Sequence, residues 1–534
     1  MKTSRYWILF FAGLLIALSV AALQDTPGYM DADYYFYGGL RLADGHGFTE
    51  MILWNYLDDP SGLPHPSYTY WMPFTSMISA LGIIVFRFLG DFNAAQTGFI
   101  LIFAAIPVLT AVLSLKLTGE SGKATFAGVL ALFSGYFLPV STTTESFGLF
   151  ILLGGLFFIV VIQNDIKRRY LILGIIAGLM HLTRADGVLW FLFAGLVLLM
   201  DRWKDNPDKY KRIRKFLSWG FCIQVGEIIL GYLIVMAGWY IRNIISFGSL
   251  FPPGGGFSLW LLHYDELFSY PASQLTFERW WASGLSEILQ VRVEALWLNL
   301  QNGMAVQGII VLGPLALIGA WKQRTLKAVR VGWVAWTTIF FVMTVLFPYS
   351  GIRGGFFHSG AAFMPLIWAL VPVGLEGVSK WTVKIFSWEV RKISPFFHGL
   401  TILVVFLMSL LQVYIKTLGS DIAIQPAWSQ QARHYGSLEE RLQDIGANTG
   451  DIVMVINPPG YINVSGRSAI AIPDGNEDTL LRAAQQYQSR YLLLEIHHPR
   501  GLDDLYQNPI DQPGIKYLDT IATTHIFLVG EVVN

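Results

Sequence analysis

Two carboxylates two positions apart, Asp31 and Asp33, open the stretch DADYYFYGGLRLADGHGF (31–48), a few residues beyond the first long apolar run of the chain. A third, Glu145, stands in STTTESFG (141–148), immediately before another apolar run. Carboxylates at such places can take a proton from an attacking hydroxyl. They can also hold a divalent cation such as Mg2+ or Mn2+ through oxygen ligands, in which case Asp31 and Glu145 are the ligands. The plainer alternative is a set of solvated loop acids and helix caps.

Arginine and histidine are the other groups with chemistry to offer. Arg184 and Asp186 share the turn LTRADG, and Arg242 lies in GWYIRNIISFG. Arg353 and His358 lie in GIRGGFFHSG, and His65 in GLPHPSYTYW. A guanidinium fork suits a phosphate, so Arg242 and Arg353 are candidates for an anionic substrate group, with His65 and His358 beside them. Arg184 and Asp186 read as an ion pair, because both fall in a turn between two short apolar runs. Glu227 interrupts the apolar IQVGEIIL, as a site residue or a hydrogen-bond partner of a neighbouring helix, and NVS (463–465) is a glycosylation sequon.

The elements that must position these groups are membrane helices. Of 534 residues, 54% are hydrophobic and 14% charged, against about 25% charged in an ordinary soluble domain. Zero net formal charge gives no reason to expect a nucleic-acid partner, and a single cysteine, Cys222, excludes a disulfide framework or a cysteine zinc site within the chain. Apolar runs lie near 7–23, 71–90, 94–116, 124–140, 147–163, 170–184, 186–200, 216–238, 296–320, 331–347, 360–376 and 396–415. The first, behind Lys2 and Arg5, has the shape of a signal peptide with VAAL as a cleavage site, but it also serves as a retained first span.

Basic connectors set the topology of the later runs. Lys116 and Lys123, KRR (167–169), DRWKDNPDKYKRIRK (201–215), KQRTLKAVR (322–330) and Lys380 to Lys392 all belong in the cytoplasm by the positive-inside rule. That parity requires that 71–90 does not cross but lies on the outer surface; 7–23 is read as a retained first span. Eleven transmembrane helices follow. The outer loops before residue 416 then contain Arg41, Arg87, Arg184, Arg242, Arg279, Arg292 and Arg353 and no lysine. The runs on either side of LTRADG are each about 15 residues, roughly 22 Å of helix, short of the ~30 Å hydrocarbon core. Their charged turn therefore implies an aqueous vestibule opening outward.

After residue 416 the pattern changes to buried strands, DIVMVI (451–456), SAIAI (468–472), YLLLEI (491–496) and HIFLVG (525–530). An amphipathic helix over 476–489 is capped by Asp474 or Asn476. The expected organisation is a transmembrane domain over 1–415, with outer loops 24–93 and 242–295, and a small extracytoplasmic α/β domain over 416–534.

Taken in order, these segments resemble the GT-C membrane glycosyltransferases, the group of protein mannosyltransferases, aminoarabinose transferases and oligosaccharyltransferase catalytic subunits. DADYYFYGGLRLADGHGF is similar to their first outer loop, an Asp-led motif closed by Gly-x-Gly, here Gly45-His46-Gly47. GLMHLTRADGVLW (178–190), GWYIRNIISFGSLFPP (238–253) and RGGFFHSGAAFMPLIWAL (353–370) are similar to their later motifs. The resemblance implies Asp31 as base or metal ligand, Glu145 as the assisting acid, and Arg242 and Arg353 on a lipid phosphate. Many members have adjacent acids where Ala32 intervenes here, so Asp33 stands beside Asp31 as the alternative base.

The implied activity is inverting transfer of a monosaccharide from a polyprenyl- or dolichyl-phosphate donor to a lipid, glycan or protein acceptor. It would take place on the extracytoplasmic face of a multi-pass protein of the cell membrane. An oligosaccharyltransferase-like activity is a variant of this reading, though WWAS (280–283) is not the Trp-Trp-Asp signature. A transporter or flippase for a lipid-linked or small solute is the alternative from another class; it would favour internal repeats and midplane charges, of which only Glu227 is an example. A receptor or scaffold with a degenerate acidic motif is the third.

Overall fold

A computed structural model describes residues 1–204, 218–386, 390–419 and 427–530. Most of the basic connector 201–215, part of Lys380 to Lys392, and 420–426 just after the expected domain boundary lie outside the described residues.

Six helical segments are long and apolar enough to cross a membrane: Thr3–Ala21, Asp91–Thr118, Trp219–Phe247, Lys327–Leu346, Gly355–Phe386 and Ile393–Leu418. A seventh is counted if Leu285–Gln307 and Leu312–Lys322, bent by 88° at their junction, form one span. The straight span expected over 296–320 is thus replaced by two helices meeting at a sharp bend. The break follows from the sequence QNGMAVQGIIVLG. Glycines at 303, 308 and 313 leave little side-chain packing to hold a straight helix, and Ile309 and Ile310 take left-handed backbone at the corner.

Four shorter helices fill the remaining expected positions: Ser121–Phe133, Ser146–Ile162, Arg169–Thr183 and Leu189–Lys204. Their 13 to 17 residues reach roughly 20–25 Å. Leu189–Lys204 leaves Leu192, Leu199 and Trp203 exposed, while Ser146–Ile162 is the most deeply buried of them. Phe157, Phe158, Phe363 and Trp190 interlock there, with Trp190 and Phe157 ring centres 4.9 Å apart. Gly154 lets the Ser146–Ile162 helix approach the chain at Ala361–Phe363 directly, since a Cβ there would stand 2.1 Å from the Ala362 carbonyl oxygen. That approach brings the outer ends of two distant segments together.

The run at 71–90 contains a 13-residue helix, Phe74–Phe86, as short as Ser121–Phe133. It packs between Met30–Ala43 and Asp91–Thr118 while Leu81, Ile84, Val85 and Phe88 stay exposed.

The C-terminal region contributes five strands of a six-stranded sheet. Its order is Ile52–Leu53, Ala469–Ala471, Ile452–Val455, Ser489–Leu494, Thr524–Val529, Ile515–Ile521, parallel through the first four and antiparallel for the last two pairings. One edge strand is thus borrowed from the first outer loop. Asn476 caps the Glu477–Tyr487 helix, its side chain accepting from the Thr479 amide. The Gln430–Asp444 helix and the Ile515–Ile521 strand carry no clean apolar alternation at the sequence level and emerge only in the folded chain.

Candidate active site

Met30–Ala43 is a helix whose first turn carries Asp31 and Asp33, where carboxylates favour the positive end of the helix dipole. Residues two apart on a helix point to nearly opposite faces, and here the two acids do. Asp31, 30% exposed at its side chain, faces the bundle, with His358 Nε2 3.8 Å from its Oδ2. Asp33 is buried against the C-terminal region, where its Oδ2 accepts from Asn457 Nδ2 at 3.1 Å.

Glu145 is fully buried at the N-terminus of Ser146–Ile162, where its Oε1 accepts from the Ser146 amide at 2.5 Å and the Ser146 hydroxyl at 2.8 Å. Helix capping accounts for that oxygen only; Oε2 is buried without a partner. The His358 ring stacks on Phe147 at 4.0 Å and its Nδ1 lies 3.9 Å from Glu145 Oε1, so the imidazole stands between the two carboxylates. Thr144, next to Glu145, donates to the Ala32 carbonyl at 2.8 Å, which ties the second outer loop to the Asp31 helix.

Two arginines supply the positive charge. Arg184 pairs with Asp186 at 2.9 Å, and Asp186 in turn accepts from Ser359 Oγ at 2.5 Å. Arg353 lies 3.8 Å over the ring of Tyr264, from the 242–295 insert. Burial raises the Asp31 carboxyl above its ordinary range, while Arg184 and Arg353 hold it back. Burial and then the charge of Asp31 raise Glu145. Two carboxyl groups so placed favour one negative charge between them, on the more exposed Asp31, with the proton on Glu145.

The structure therefore brings together Asp31, Glu145, His358, Arg184 and Arg353. It does not bring in His65 or Arg242. His65 is buried between Glu50 (3.2 Å) and Asp58 (3.7 Å), with its Nε2 2.8 Å from the Ile52 carbonyl oxygen, at the pairing of Thr49–Glu50 with His65–Pro66. Arg242 donates to the Phe48 and Ser67 carbonyls at 3.2 and 2.7 Å and packs on Trp239. Its fork braces the first outer loop.

Sequence reading passed over Tyr29, whose buried hydroxyl has no partner, although it adjoins the acidic motif. It also passed over Tyr264 and Asn457, which no local signal marks. Among the described residues, no group of three or more His, Cys, Asp or Glu side chains is arranged to hold a metal ion by itself.

No protein-family model matches the chain, and no curated protein matches it. Solved structures do. The aminoarabinose transferase ArnT from Cupriavidus metallidurans in its apo state aligns at a TM-score of 0.59 and 10% identity, over 99% of this chain and 98% of ArnT. The same enzyme bound to undecaprenyl phosphate aligns at 0.55 and 11%, with the same coverage. The archaeal oligosaccharyltransferase AglB from Archaeoglobus fulgidus, in complex with an inhibitory peptide and a dolichol-phosphate, aligns at 0.51 and 13%, over 93% of this chain and 70% of AglB. The chain thus shares the fold of ArnT and AglB.

Proposed function

We propose that the chain is an inverting membrane glycosyltransferase that moves one sugar from a polyprenyl- or dolichyl-phosphate donor to an acceptor hydroxyl on the extracytoplasmic face. The observation that carries the reading is the partly exposed Asp31 carboxylate beside a fully buried Glu145, with His358 between them and the Arg184 and Arg353 guanidinium groups acting on Asp31. Two structures of like fold were solved with a prenyl-type lipid phosphate, which supports the donor class. The parity of the basic connectors supports the outer face.

In this reading Asp31 takes the acceptor's proton as the acceptor oxygen bonds to the anomeric carbon. The bond from that carbon to the phosphate oxygen breaks, and the lipid phosphate leaves with the electron pair. Arg353 meets the charge developing on it, with Arg184 behind, the kind of preorganised stabilisation that is often the largest catalytic contribution. His358 keeps the two acids apart and excludes water between them. Glu145, remaining neutral, leaves Asp31 as the sole base. The prenyl tail stays in the bilayer while the sugar meets the aqueous site, which accounts for catalysis at a membrane edge.

Purified protein incubated with a panel of radiolabelled prenyl-phosphate sugars should release or transfer label from at least one of them. A protein that binds these lipids and carries them between leaflets without cleaving the anomeric bond would be a transporter instead.

A further inference from the structure

The C-terminal region grips the segment immediately before and within the Asp31 helix by contacts the reaction itself does not use. Asp33, two residues from Asp31 on the opposite face, is 7% exposed. Its carboxylate accepts from Asn457, and its backbone carbonyl accepts from Asn463 Nδ2 at 3.0 Å. Every polar atom of the Asn457 side chain is engaged. Nδ2 donates to Asp33 and, at 2.9 Å, to Gln431 Oε1, while Oδ1 accepts from the Gly460 amide at 3.0 Å. The amide orientation is thereby fixed, and it presents a donor to Asp33.

Upstream, the Trp428 indole donates to the Thr26 carbonyl at 2.7 Å and Ser429 donates to Asp25. Gly28, at φ +99°, makes room for that indole, since a Cβ would meet the ring at 2.3 Å. On the other side, Thr143 and Thr144 hold the carbonyls of Pro27 and Ala32. The backbone that leads into Asp31 is thus fixed from two sides, and one of those sides is the C-terminal region. The sequon asparagine, Asn463, spends its amide here and is not a free glycosylation acceptor.

We propose that Asp33 and Asn457 are positioning residues for the transfer reaction: their hydrogen bond transmits the placement of the C-terminal region to the Asp31 carboxylate. This rests on the glycosyltransferase reading. A base must sit within hydrogen-bond reach of the acceptor hydroxyl, and a displacement of about 1 Å costs on the order of 10²-fold in rate. A helix fixed at its first turn meets that demand; one held only by its apolar face does not.

The test is an exchange of partners in the full-length protein. Asn457→Asp retains the cap on Gly460 but sets two carboxylates against each other. It should lower kcat by about 10- to 100-fold, with the donor KM and thermal unfolding little changed. Adding Asp33→Asn restores one donor and one carboxylate in reversed order, and should recover kcat to within about threefold of wild type. Hydrogen exchange of the peptide covering 25–40 provides a readout independent of turnover. It should rise in Asn457→Asp and return in the double variant.

Unchanged kcat and exchange in a folded Asn457→Asp protein would overturn the proposal. So would a loss of kcat that the double variant fails to recover while the exchange pattern is normal. Wild-type protein without transfer on any donor would instead sink the glycosyltransferase reading, and the positioning role with it, even if the exchange pattern showed the grip itself to be present.

Discussion

His65 and His358 each stand between two carboxylates, and the two groups are built to opposite ends. Around His65 the Glu50 and Asp58 side chains are closed off, its ring nitrogen contacts the Ile52 carbonyl at 2.8 Å, and Glu50 lies at 3.2 Å. Around His358 the contacts open to 3.8 and 3.9 Å and one carboxylate is 30% exposed, while both groups keep buried polar atoms without a hydrogen bond, Asp58 Oδ1 and His65 Nδ1 in the first and Glu145 Oε2 and His358 Nδ1 in the second. A group sealed from solvent stabilises a loop. A group with an opening to water is where a substrate can enter and complete the bonding. Composition alone would have ranked the two sites equally.

The largest contrast is expected from the acids themselves. Asp31→Asn should lower kcat by about 10²–10⁴-fold, the usual range for loss of a general base, with unfolding temperature unchanged. In the wild-type protein the acid limb of the kcat–pH profile should lie above the ordinary Asp value of about 3.9, because burial raises Asp31; a limb at that value would count against it.

His65→Ala should do the reverse. It leaves two carboxylates buried without their counter-charge, which costs about 3–5 kcal/mol of stability, while the folded fraction turns over normally. Burial lowers the basicity of His65, but Glu50 and Asp58 outweigh it and push the imidazole up to about 9. A pKa raised on folding gives stability that is complete below the unfolded value of about 6.5 and is lost as pH rises through about 9. Asp58, pushed up to about 6 by burial, is already ionised over most of that window. Wild-type unfolding temperature should therefore fall between pH 7 and 9, and the fall should shrink in His65→Ala. A parallel fall in both would remove His65 from the account.

A smaller difference separates the arginines. Arg353→Lys keeps the charge but loses the planar fork, and should raise the donor KM or lower kcat by roughly tenfold. Arg242→Lys should leave donor kinetics near wild type and loosen the first outer loop, because Arg242 holds the carbonyls of Phe48 and Ser67. Equal kinetic losses in both would return Arg242 to the phosphate site. Cysteine labelling sharpens the geometry on a larger scale. With Cys222 replaced, Thr118→Cys and Glu440→Cys should label from opposite sides of the membrane, and labelling from one side would move the proposed site to the other face.

Much of this architecture is legible in the sequence because membrane helices and buried strands write long apolar runs, and because arginine and lysine mark the ends of spans. The acid pair and its likeness to the GT-C first loop are legible for the same reason: Asp31 and Glu145 stand just outside apolar runs. What cannot be read is which face of a helix each acid takes. Asp31 and Asp33 differ by two positions, and only the partners across the fold, His358 for one and Asn457 for the other, separate a reacting group from a tether. The borrowed strand Ile52–Leu53 is hidden likewise, since two residues carry no periodicity. The bend near Ile309 is marked in the sequence only by the glycines at 303, 308 and 313, which do not fix where or how sharply the helix turns.

The central claim is that Asp31, and not Asp33, takes the acceptor proton. Single-turnover transfer by Asp31→Asn and by Asp33→Asn, measured side by side on the prenyl-phosphate sugar that the wild-type protein uses, tests it most directly. The account predicts transfer lost by at least about 10²-fold in Asp31→Asn, and transfer near the wild-type rate in Asp33→Asn, whose side-chain oxygen still accepts from Asn457. Wild-type transfer by Asp31→Asn, or the loss falling on Asp33→Asn alone, would contradict it.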